Sequence, residues 1–290
     1  MESIALRRHR SPELNLLGLN ELVELDRWAL ERRSRGLACT AFLGYQQTLC
    51  RVLGRYKLYL ATTDVGFGAH VMLDGIWESW LTVFMARRVQ PGMYVADAGA
   101  NHGYYTLLFA DLVGPDGRVA AIEPNPATAS LLRRSLSVNG FDGRTEVHER
   151  ALTDADGETL AFHMPTGEPK NARLVSATLQ GHPEVQTVTS ARLDTLLSHW
   201  PRLDFLKIDV EGAEEAMLSG AWGLIERHRP QMVLEYNASR ASDGGALLDR
   251  LESVYGKIRW IDHESQLRGA SRAELTDASN HEDWLLYLEP

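Results

Sequence analysis

A strand-like run leads directly into a glycine-rich turn in the segment Tyr94-Val95-Ala96-Asp97-Ala98-Gly99-Ala100-Asn101-His102-Gly103. A helix-like stretch begins at the next residue and extends to about residue 113. Open α/β sheets bind ligands at the carboxyl ends of their strands and beside helix N-termini, so this junction predicts a small-molecule pocket. Gly99 and Gly103 would let the backbone approach the ligand closely, because neither residue carries a Cβ atom.

Outside this segment, strand-like and helix-like patterns alternate along the chain. The strand-like runs cover residues 94–98, 118–123, 146–151, 205–210 and 231–236, and the helical stretches cover 104–113, 127–139 and 213–227. This alternation predicts the α/β class, with a doubly wound, mostly parallel sheet of the Rossmann-like kind. Between about 159 and 192 the pattern weakens into short β-like pieces and a polar loop at 166–171, where we expect substrate contacts.

The first part of the chain has a different character. Leucines and a tryptophan recur at helical spacing between residues 12 and 35, a strand-like run follows at 56–60, and Asp64, Gly66, Gly68 and Gly75 mark turns. We therefore expect an accessory region at 1–85, helical and then β, before a main domain at 86–290. The apolar helix face would pack on the rest of the chain or form a homodimer, and packing within the chain is favoured.

Composition limits the classes of function. A formal net charge of −9 argues against nucleic-acid binding, which usually needs a basic surface. The two cysteines, Cys39 and Cys50, are too few for a disulfide framework or a structural zinc site. The sequence shows neither a signal peptide nor a transmembrane segment. We expect a soluble protein located in the cytoplasm.

Two acidic residues indicate which ligand the glycine turn binds. Asp97 lies at the turn and could accept from an ammonium group, and Glu123 ends the next strand, where a carboxylate can accept from a ribose diol. A dinucleotide fingerprint would read Gly-x-Gly-x-x-Gly, whereas the spacing here is Gly99-x-Asn101-x-Gly103. An acid at the turn suits the cationic methionine end of S-adenosylmethionine better than a pyrophosphate. The residues therefore favour a methyl donor over NAD.

Three motifs occur in a fixed order: Asp97-Ala98-Gly99-Ala100-Asn101-His102-Gly103-Tyr104-Tyr105-Thr106, Glu123-Pro124-Asn125-Pro126, and Lys207-Ile208-Asp209-Val210-Glu211-Gly212-Ala213-Glu214. Together they resemble the FkbM family of S-adenosylmethionine-dependent methyltransferases, over about residues 73–235. The resemblance implies a class I methyltransferase fold and O-methylation of a hydroxyl on a sugar, glycan or natural product. The first sixty residues carry no such resemblance.

The resemblance also implies roles for single residues. The methionine end would be held by Asp97, Gly99, Asn101 and Gly103. Glu123 would bind the ribose, and Asn125 would lie near the adenosine. A weaker match around Gly75 places Trp77 and Glu78 near the cofactor entrance. His102 departs from the family pattern, in which an apolar residue is more usual; we expect it to pack neutrally on the wall of the site rather than to face the acceptor.

Methylation of an alcohol requires a group that takes up the hydroxyl proton or a cation that lowers the pKa of the hydroxyl. Asp209 and Glu211 end a central strand two residues apart, so they project to one side if the strand continues. We expect Asp209 to act as the base and Glu211 to support the acceptor. Glu235 ends a further strand at the same edge and could complete a Mg²⁺ site with Asp209.

Three alternative functions remain open at the level of sequence. The chain could be an N-methyltransferase acting on a small molecule, a dinucleotide-dependent oxidoreductase, or a binding module that has kept the cofactor pocket without catalysis. Fold alone does not set the acceptor, so its identity cannot be taken from the alternating pattern.

Overall fold

The structure is a computed structural model, and it describes residues 15–165, 173–175 and 182–290. The polar loop predicted at 166–171 lies outside these described residues. Within the described ranges, no helix combines the length and the apolar character that crossing a membrane requires.

The N-terminal part forms two short helices, a three-stranded antiparallel sheet and two further helices: α1 (Leu19–Glu24), α2 (Arg27–Leu37), β1 (Thr40–Gly44), β2 (Gln47–Val52), β3 (Tyr56–Ala61), α3 (Phe67–Asp74) and α4 (Ser79–Arg88). The helix predicted over 12–35 is divided between Glu24 and Arg27, and the Asp26 side chain caps α2 by accepting from the Ala29 N–H. Gly68 lies inside α3 and does not form a turn.

A central sheet of eight strands carries the rest of the fold. Its strands in chain order are β4 (Tyr94–Ala98), β5 (Arg118–Ile122), β6 (Thr145–His148), β11 (Phe205–Ile208), β12 (Gln231–Tyr236), β13 (Arg259–Ile261), β14 (Leu267–Arg268) and β15 (Trp284–Leu288). In space the order is β14-β13-β15-β12-β11-β4-β5-β6. The five strands from β12 to β6 are parallel, which confirms the predicted doubly wound sheet. The antiparallel strand β15 beside β12 was not predicted.

Helices and a smaller sheet complete the architecture. The helices are α5 (Tyr104–Leu112), α6 (Pro126–Asn139), α7 (Leu193–Leu196), α8 (Glu214–Ser219), α9 (Trp222–His228), α10 (Gly244–Tyr255) and α11 (Arg272–Leu275). The smaller sheet has the order β7-β10-β8-β9 and is formed by β7 (Ala151–Leu152), β8 (Thr159–His163), β9 (Arg173–Val175) and β10 (Val185–Ala191). The single helix predicted at 213–227 is two helices, α8 and α9.

The two faces of the central sheet bury different apolar clusters. Alternate strand residues point to opposite faces, so Val95 and Phe205 belong to one cluster while Ala96 and Leu206 belong to the other. The first cluster also contains Leu22 and other residues of the N-terminal part. The boundary expected between residues 85 and 86 falls inside α4. The N-terminal part therefore covers one face of the sheet and shares its core.

Candidate functional site

A cavity of about 360 Å³ opens at the carboxyl ends of β4, β5, β11 and β12. This is the edge at which open α/β sheets bind their ligands. Eight of the residues singled out from the sequence line this cavity: Trp77, Glu78, Gly99, Asn101, Glu123, Asp209, Glu211 and Glu235. Four others, Asp97, His102, Gly103 and Asn125, lie behind its walls and are buried.

The two glycines of the turn are closely packed against other parts of the chain. Both adopt positive φ, 79° at Gly99 and 96° at Gly103. A Cβ atom on Gly99 would lie 1.7 Å from the carbonyl oxygen of Asp209, and one on Gly103 would lie 2.2 Å from Leu132 Cδ1. Close packing against the end of β11 and against α6 thus already disfavours a side chain at either position, and the expected approach of the backbone to a ligand stays a prediction.

Glu123 is held at the cavity by backbone amides. Its Oε2 atom accepts from the Asn101 N–H at 2.9 Å, and Oε1 accepts from the Asn125 N–H at 2.8 Å. Only 8% of the residue is exposed, and this burial raises the pKa of Glu123 to about 7 although the two amides oppose the shift. Each oxygen keeps a lone pair for a further donor, so the carboxylate is oriented and still able to accept.

Asp97 lies below the turn and begins a buried polar chain. Thr106 donates to its Oδ2 atom at 2.6 Å, and Lys207 Nζ lies 3.6 Å from Oδ1. Asp97 is fully buried, which raises its pKa, while Lys207 and Thr106 oppose that shift. Its Oδ1 atom receives no hydrogen bond from the described residues. Contact with a cofactor ammonium would need an approach through the turn, because Asp97 does not line the cavity.

Three carboxylates form what we call the acidic cluster: Asp209, Glu211 and Glu235. One oxygen from each lies within 4.8 Å of the others. Burial and the negative charge of Asp209 raise the pKa of Glu235 strongly, and the same two causes raise the pKa of Glu211 to about 7. Burial would also raise the pKa of Asp209, but Lys207 draws it below its ordinary value. Asp209 is therefore the member that is most fully ionised at neutral pH.

Side-chain cations face each member of the acidic cluster. Lys207 Nζ lies 3.2 Å from Asp209 Oδ2, and the Arg240 guanidinium lies 3.7 Å from Glu211 and 3.8 Å from Glu235. Arg240 also makes a 2.6 Å contact with Asp283. The Mg²⁺ site expected at Asp209 and Glu235 therefore has the oxygen ligands that this ion prefers, but it also has two cations as neighbours. Magnesium at this point stays a prediction.

Backbone strain is present where the chain meets the cavity. Glu78, Asn101 and Glu211 are non-glycine residues with φ of 37°, 49° and 51°, and all three line the cavity. Positive φ is uncommon outside glycine, and it persists only where surrounding contacts enforce it. At Glu78 one such contact is visible, because the Tyr105 hydroxyl donates to Glu78 Oε2 at 2.7 Å. The three strained residues lie in the segments before α4, after β4 and after β11, so strained backbone lines the cavity from three sides of the sheet edge.

His102 and Asn125 have structural surroundings. The His102 ring is 1% exposed and stacks on Phe67 with a centroid distance of 5.9 Å; burial lowers its pKa to about 4, so it is neutral at physiological pH. The Asn125 side chain caps α6 by accepting from the Ala127 N–H at 3.0 Å. The Asn125 backbone amide, rather than its side chain, supports Glu123.

Several residues of the site were not singled out from the sequence. Lys207 lies in the third motif without a predicted role. A lysine inside an otherwise apolar buried strand is unusual, because lysine is rarely buried unless it is paired, and this was the available signal. Arg240, Asp283 and Leu285 reach the cavity from loops and from β15. Phe162 and Leu174 reach it from the smaller sheet. These positions depend on tertiary packing and have no spacing signature.

The parallel sheet, the glycine turn at the end of β4 and the carboxylate at the end of β5 together define a class I methyltransferase fold. The family model described as "Methyltransferase FkbM domain" matches residues 97–289, which is about two thirds of the chain. The chain belongs to the FkbM methyltransferase family, as its motifs indicated.

Individual relatives match parts of the chain. "Methyltransferase 1" of Beauveria bassiana is 32% identical over 157 residues, covering 46% of this chain and 61% of the relative. A protein-L-isoaspartate O-methyltransferase of Aeropyrum pernix is 47% identical over 83 residues, covering 29% of this chain and 31% of the relative. The chain thus spans less than two thirds of the length of these curated relatives. The crystal structure of methyltransferase FkbM from Methylobacillus flagellatus KT is 18% identical, covers 72% of this chain and 53% of its own, and has a TM-score of 0.44.

Proposed function

We propose that this chain transfers a methyl group from S-adenosylmethionine to a hydroxyl group on a sugar, glycan or natural-product acceptor. The observation that carries this proposal is that one cavity contains two different ends: Gly99, Asn101 and Glu123 at one, and the acidic cluster at the other. An alignment of donor and acceptor inside one enclosed space is the main requirement for displacement at a methyl carbon.

The residues of the first end fit the cofactor. Glu123 presents a carboxylate that is already oriented by two amides and retains acceptor capacity for the ribose hydroxyls. Asn101 turns the backbone at positive φ beside it. Asp97 supports the turn from below and has a buried oxygen that could accept from an ammonium group if the turn opens to it. When bound, S-adenosylmethionine supplies an electrophilic methyl group on a positively charged sulfur.

The residues of the second end fit the acceptor. Asp209 is proposed as the general base, since it is the most fully ionised member of the acidic cluster and its side chain is 38% exposed. It would take up the hydroxyl proton as the oxygen attacks the methyl carbon. Glu211 would accept a hydrogen bond from a neighbouring acceptor hydroxyl, and Trp77 and Glu78 would line the entrance.

Calorimetric titration with S-adenosylhomocysteine and, separately, with NADH tests the cofactor part. We expect binding of the first ligand only, and a loss of affinity in Glu123→Ala of at least about tenfold, which is the scale expected when a charged acceptor is lost. Glu158→Ala is a matched control, because Glu158 is an exposed glutamate outside the cavity. Binding of NADH alone would support the oxidoreductase alternative and would remove the proposal.

The acceptor part needs a screen of hydroxylated compounds and of their amino counterparts. Transfer to the hydroxyl compounds supports the proposal, whereas transfer to the amines alone would make the chain an N-methyltransferase. Tight cofactor binding with no turnover on either set would indicate a non-catalytic binding module. The favoured hydroxyl reaction rests on Asp209, since a base that remains ionised suits an acceptor whose proton must leave.

The proposal also covers the role of the N-terminal region, the oligomeric state and the cellular location. We assign residues 1–85 an accessory role, because the described part of this region packs over one face of the sheet. The buried faces of α1 and α2 pack within the chain, with Leu22 and Leu30 at 0% exposure, so a homodimer through this region would have to use other residues. A cytoplasmic location agrees with the two cysteines being unpaired.

A further inference from the structure

Two positively charged side chains, Lys207 and Arg240, contact the acidic cluster and offset its negative charge. Lys207 contacts Asp209, Arg240 contacts Glu211 and Glu235, and both cationic residues line the cavity. All three carboxylates thus have a cationic side chain within 4.0 Å. A divalent ion bound by the same oxygens would lie close to both cations.

Lys207 cannot move away to admit such an ion. Its side chain is 4% exposed, and its strand is fixed by parallel pairing with β4 and β12 on either side. The ammonium group also contacts Asp97 at 3.6 Å and donates to the Gly99 carbonyl oxygen at 3.5 Å. Lys207 therefore carries a permanent charge held among the ends of two neighbouring strands.

Arg240 is held in place by contacts with Asp283 and Asn237. Its guanidinium contacts Asp283 at 2.6 Å, and its backbone N–H donates to the Asn237 carbonyl oxygen at 3.1 Å. Asp283 is itself held by the Asn237 side-chain amide at 2.9 Å. A planar guanidinium with a fixed partner can contact two further carboxylates at once, so Arg240 faces Glu211 and Glu235 together.

We propose, in place of the Mg²⁺ site expected from the sequence, that Lys207 and Arg240 are built-in counter-ions that hold the acidic cluster in position without a resident divalent cation. Both act through the carboxylates and are therefore positioning residues rather than catalytic ones. The electrostatic part of the inference concerns only the charges of the folded chain. The part concerning turnover rests on the proposed methyltransferase function, in which Asp209 must face the acceptor.

Removing one counter-ion should turn the acidic cluster into a metal site. The carboxylate oxygens already lie within 4.8 Å of one another, and this spacing suits shared coordination of one ion. Without Arg240, Glu211 and Glu235 would lose the cation that faces them, and a divalent ion would be attracted in its place. The wild-type cluster should resist the same ion, because the positive charges are already present.

The test is Mn²⁺ binding followed by electron paramagnetic resonance, with MnCl₂ as the probe. We expect Arg240→Met to bind Mn²⁺ at least about tenfold more tightly than the wild-type chain, a difference that corresponds to about 1.4 kcal/mol. Arg240 is the first choice because its side chain is 32% exposed, so the variant should fold. Lys207→Met is the second variant, and Arg240→Met alone decides the question if Lys207→Met does not fold.

Matched controls separate a local effect from a change in net charge. Arg32→Met and Lys257→Met each remove one exposed cation outside the cavity and should leave Mn²⁺ binding as in the wild type. Glu235→Gln added to Arg240→Met should reverse the gain. Equal Mn²⁺ affinity in wild type and Arg240→Met would overturn the inference, whether both bind tightly or neither binds.

Turnover gives a second, separate measurement. Wild-type methyl transfer should be unchanged by EDTA, whereas Lys207→Met should lower kcat at least about tenfold with S-adenosylhomocysteine affinity changed less, because Asp209 would lose its positioning contact. Inhibition of the wild type by EDTA, restored by Mg²⁺, would overturn the inference. If the wild type methylates no acceptor at all, the proposed function fails, but the Mn²⁺ result still decides the question of the counter-ions.

Discussion

The two ends of the cavity are formed by different kinds of chemical group. At the end of β4 and β5, the chain uses tightly packed glycines and backbone amides that donate to a single carboxylate, Glu123. At the end of β11 and β12, it uses ionisable side chains opposed by Lys207 and Arg240. Most substitutions leave the backbone geometry unchanged except at special φ angles, whereas replacing a charged residue by a neutral one removes its charge. The shape of the first end is therefore determined mainly by the backbone, whereas the charge of the second end can be changed by single substitutions.

The sharpest way to break this contrast is a change at Gly99. In Gly99→Ala the new methyl group would lie 1.7 Å from the Asp209 carbonyl oxygen at a φ of 79°. We expect a loss of more than about 3 kcal/mol in the free energy of unfolding, because the left-handed conformation alone costs about 1–2 kcal/mol and β11 must also move. Urea unfolding and S-adenosylhomocysteine calorimetry measure the effect.

Gly92 supplies the control for Gly99. Its φ is 81°, nearly the same, but a Cβ atom there would meet nothing within 4 Å. Gly92→Ala should therefore lose only about 1 kcal/mol, the conformational part of the cost. Similar losses in the two variants would mean that contact with β11 does not determine the need for glycine in the turn.

The next largest effect should come from the acidic end. Asp209→Asn keeps the size of the side chain and removes its charge, so we expect turnover to fall by at least about 100-fold, the lower range for loss of a general base. Cofactor affinity should change by less than about threefold, because Glu123 and the amides are untouched. Full activity in the Asn variant would show that Asp209 is not the base. Asp116→Asn, an exposed acid away from the cavity, is the control.

A smaller effect should appear in the pH dependence of cofactor binding. Burial raises the pKa of Glu123 to about 7, so the carboxylate is mostly ionised at pH 8 and mostly protonated at pH 6. Because the ribose hydroxyls need the ionised acceptor, we expect S-adenosylhomocysteine affinity to be about tenfold lower at pH 6 than at pH 8, in line with the ionised fraction of Glu123. Calorimetry across this range measures it.

Glu211 provides the comparison for that pH dependence, since its pKa is also raised to about 7. Glu123→Gln should abolish the pH dependence of S-adenosylhomocysteine binding, whereas Glu211→Gln should keep it. The reverse result would place the titrating group at the acidic end and would contradict the division between the two ends.

The smallest expected effect concerns Asn125. Because its side chain caps α6 while its backbone amide holds Glu123, Asn125→Ala should lower the free energy of unfolding by about 1 kcal/mol and leave S-adenosylhomocysteine affinity nearly unchanged. Asp26→Ala, which removes the cap of α2, should show the same pattern. A large loss of affinity in Asn125→Ala alone would restore a direct cofactor contact for this side chain.

Much of the fold was readable because it depends on local pattern. The strands β4 and β12 have the predicted bounds, and the glycine turn lies where the spacing placed it. The sequence also brought Asp209, Glu211 and Glu235 to one edge, since the ends of parallel strands meet there. The FkbM family followed from the order of three motifs.

The remaining features depend on contacts between distant parts of the chain. The reason for Gly99 lies in the carbonyl group of a residue more than a hundred positions later, which no local pattern can show. His102 faces the N-terminal part because α3 happens to pack there through Phe67. Arg240 lies in a turn outside any periodic segment, so its contact with two carboxylates appears only once β12 and the turn are placed together.

The position of β15 has a consequence for the order in which the chain can assemble. β13 and β14 come earlier in the sequence, yet β15 lies between β13 and β12 in the sheet. During synthesis the β13–β14 hairpin would therefore form before β15, the strand through which β13 joins the central sheet. Leu285 of that strand and the preceding Asp283 also line the cavity. Completion of the pocket is thereby tied to the addition of β15, so the site cannot be finished from the residues up to β14 alone.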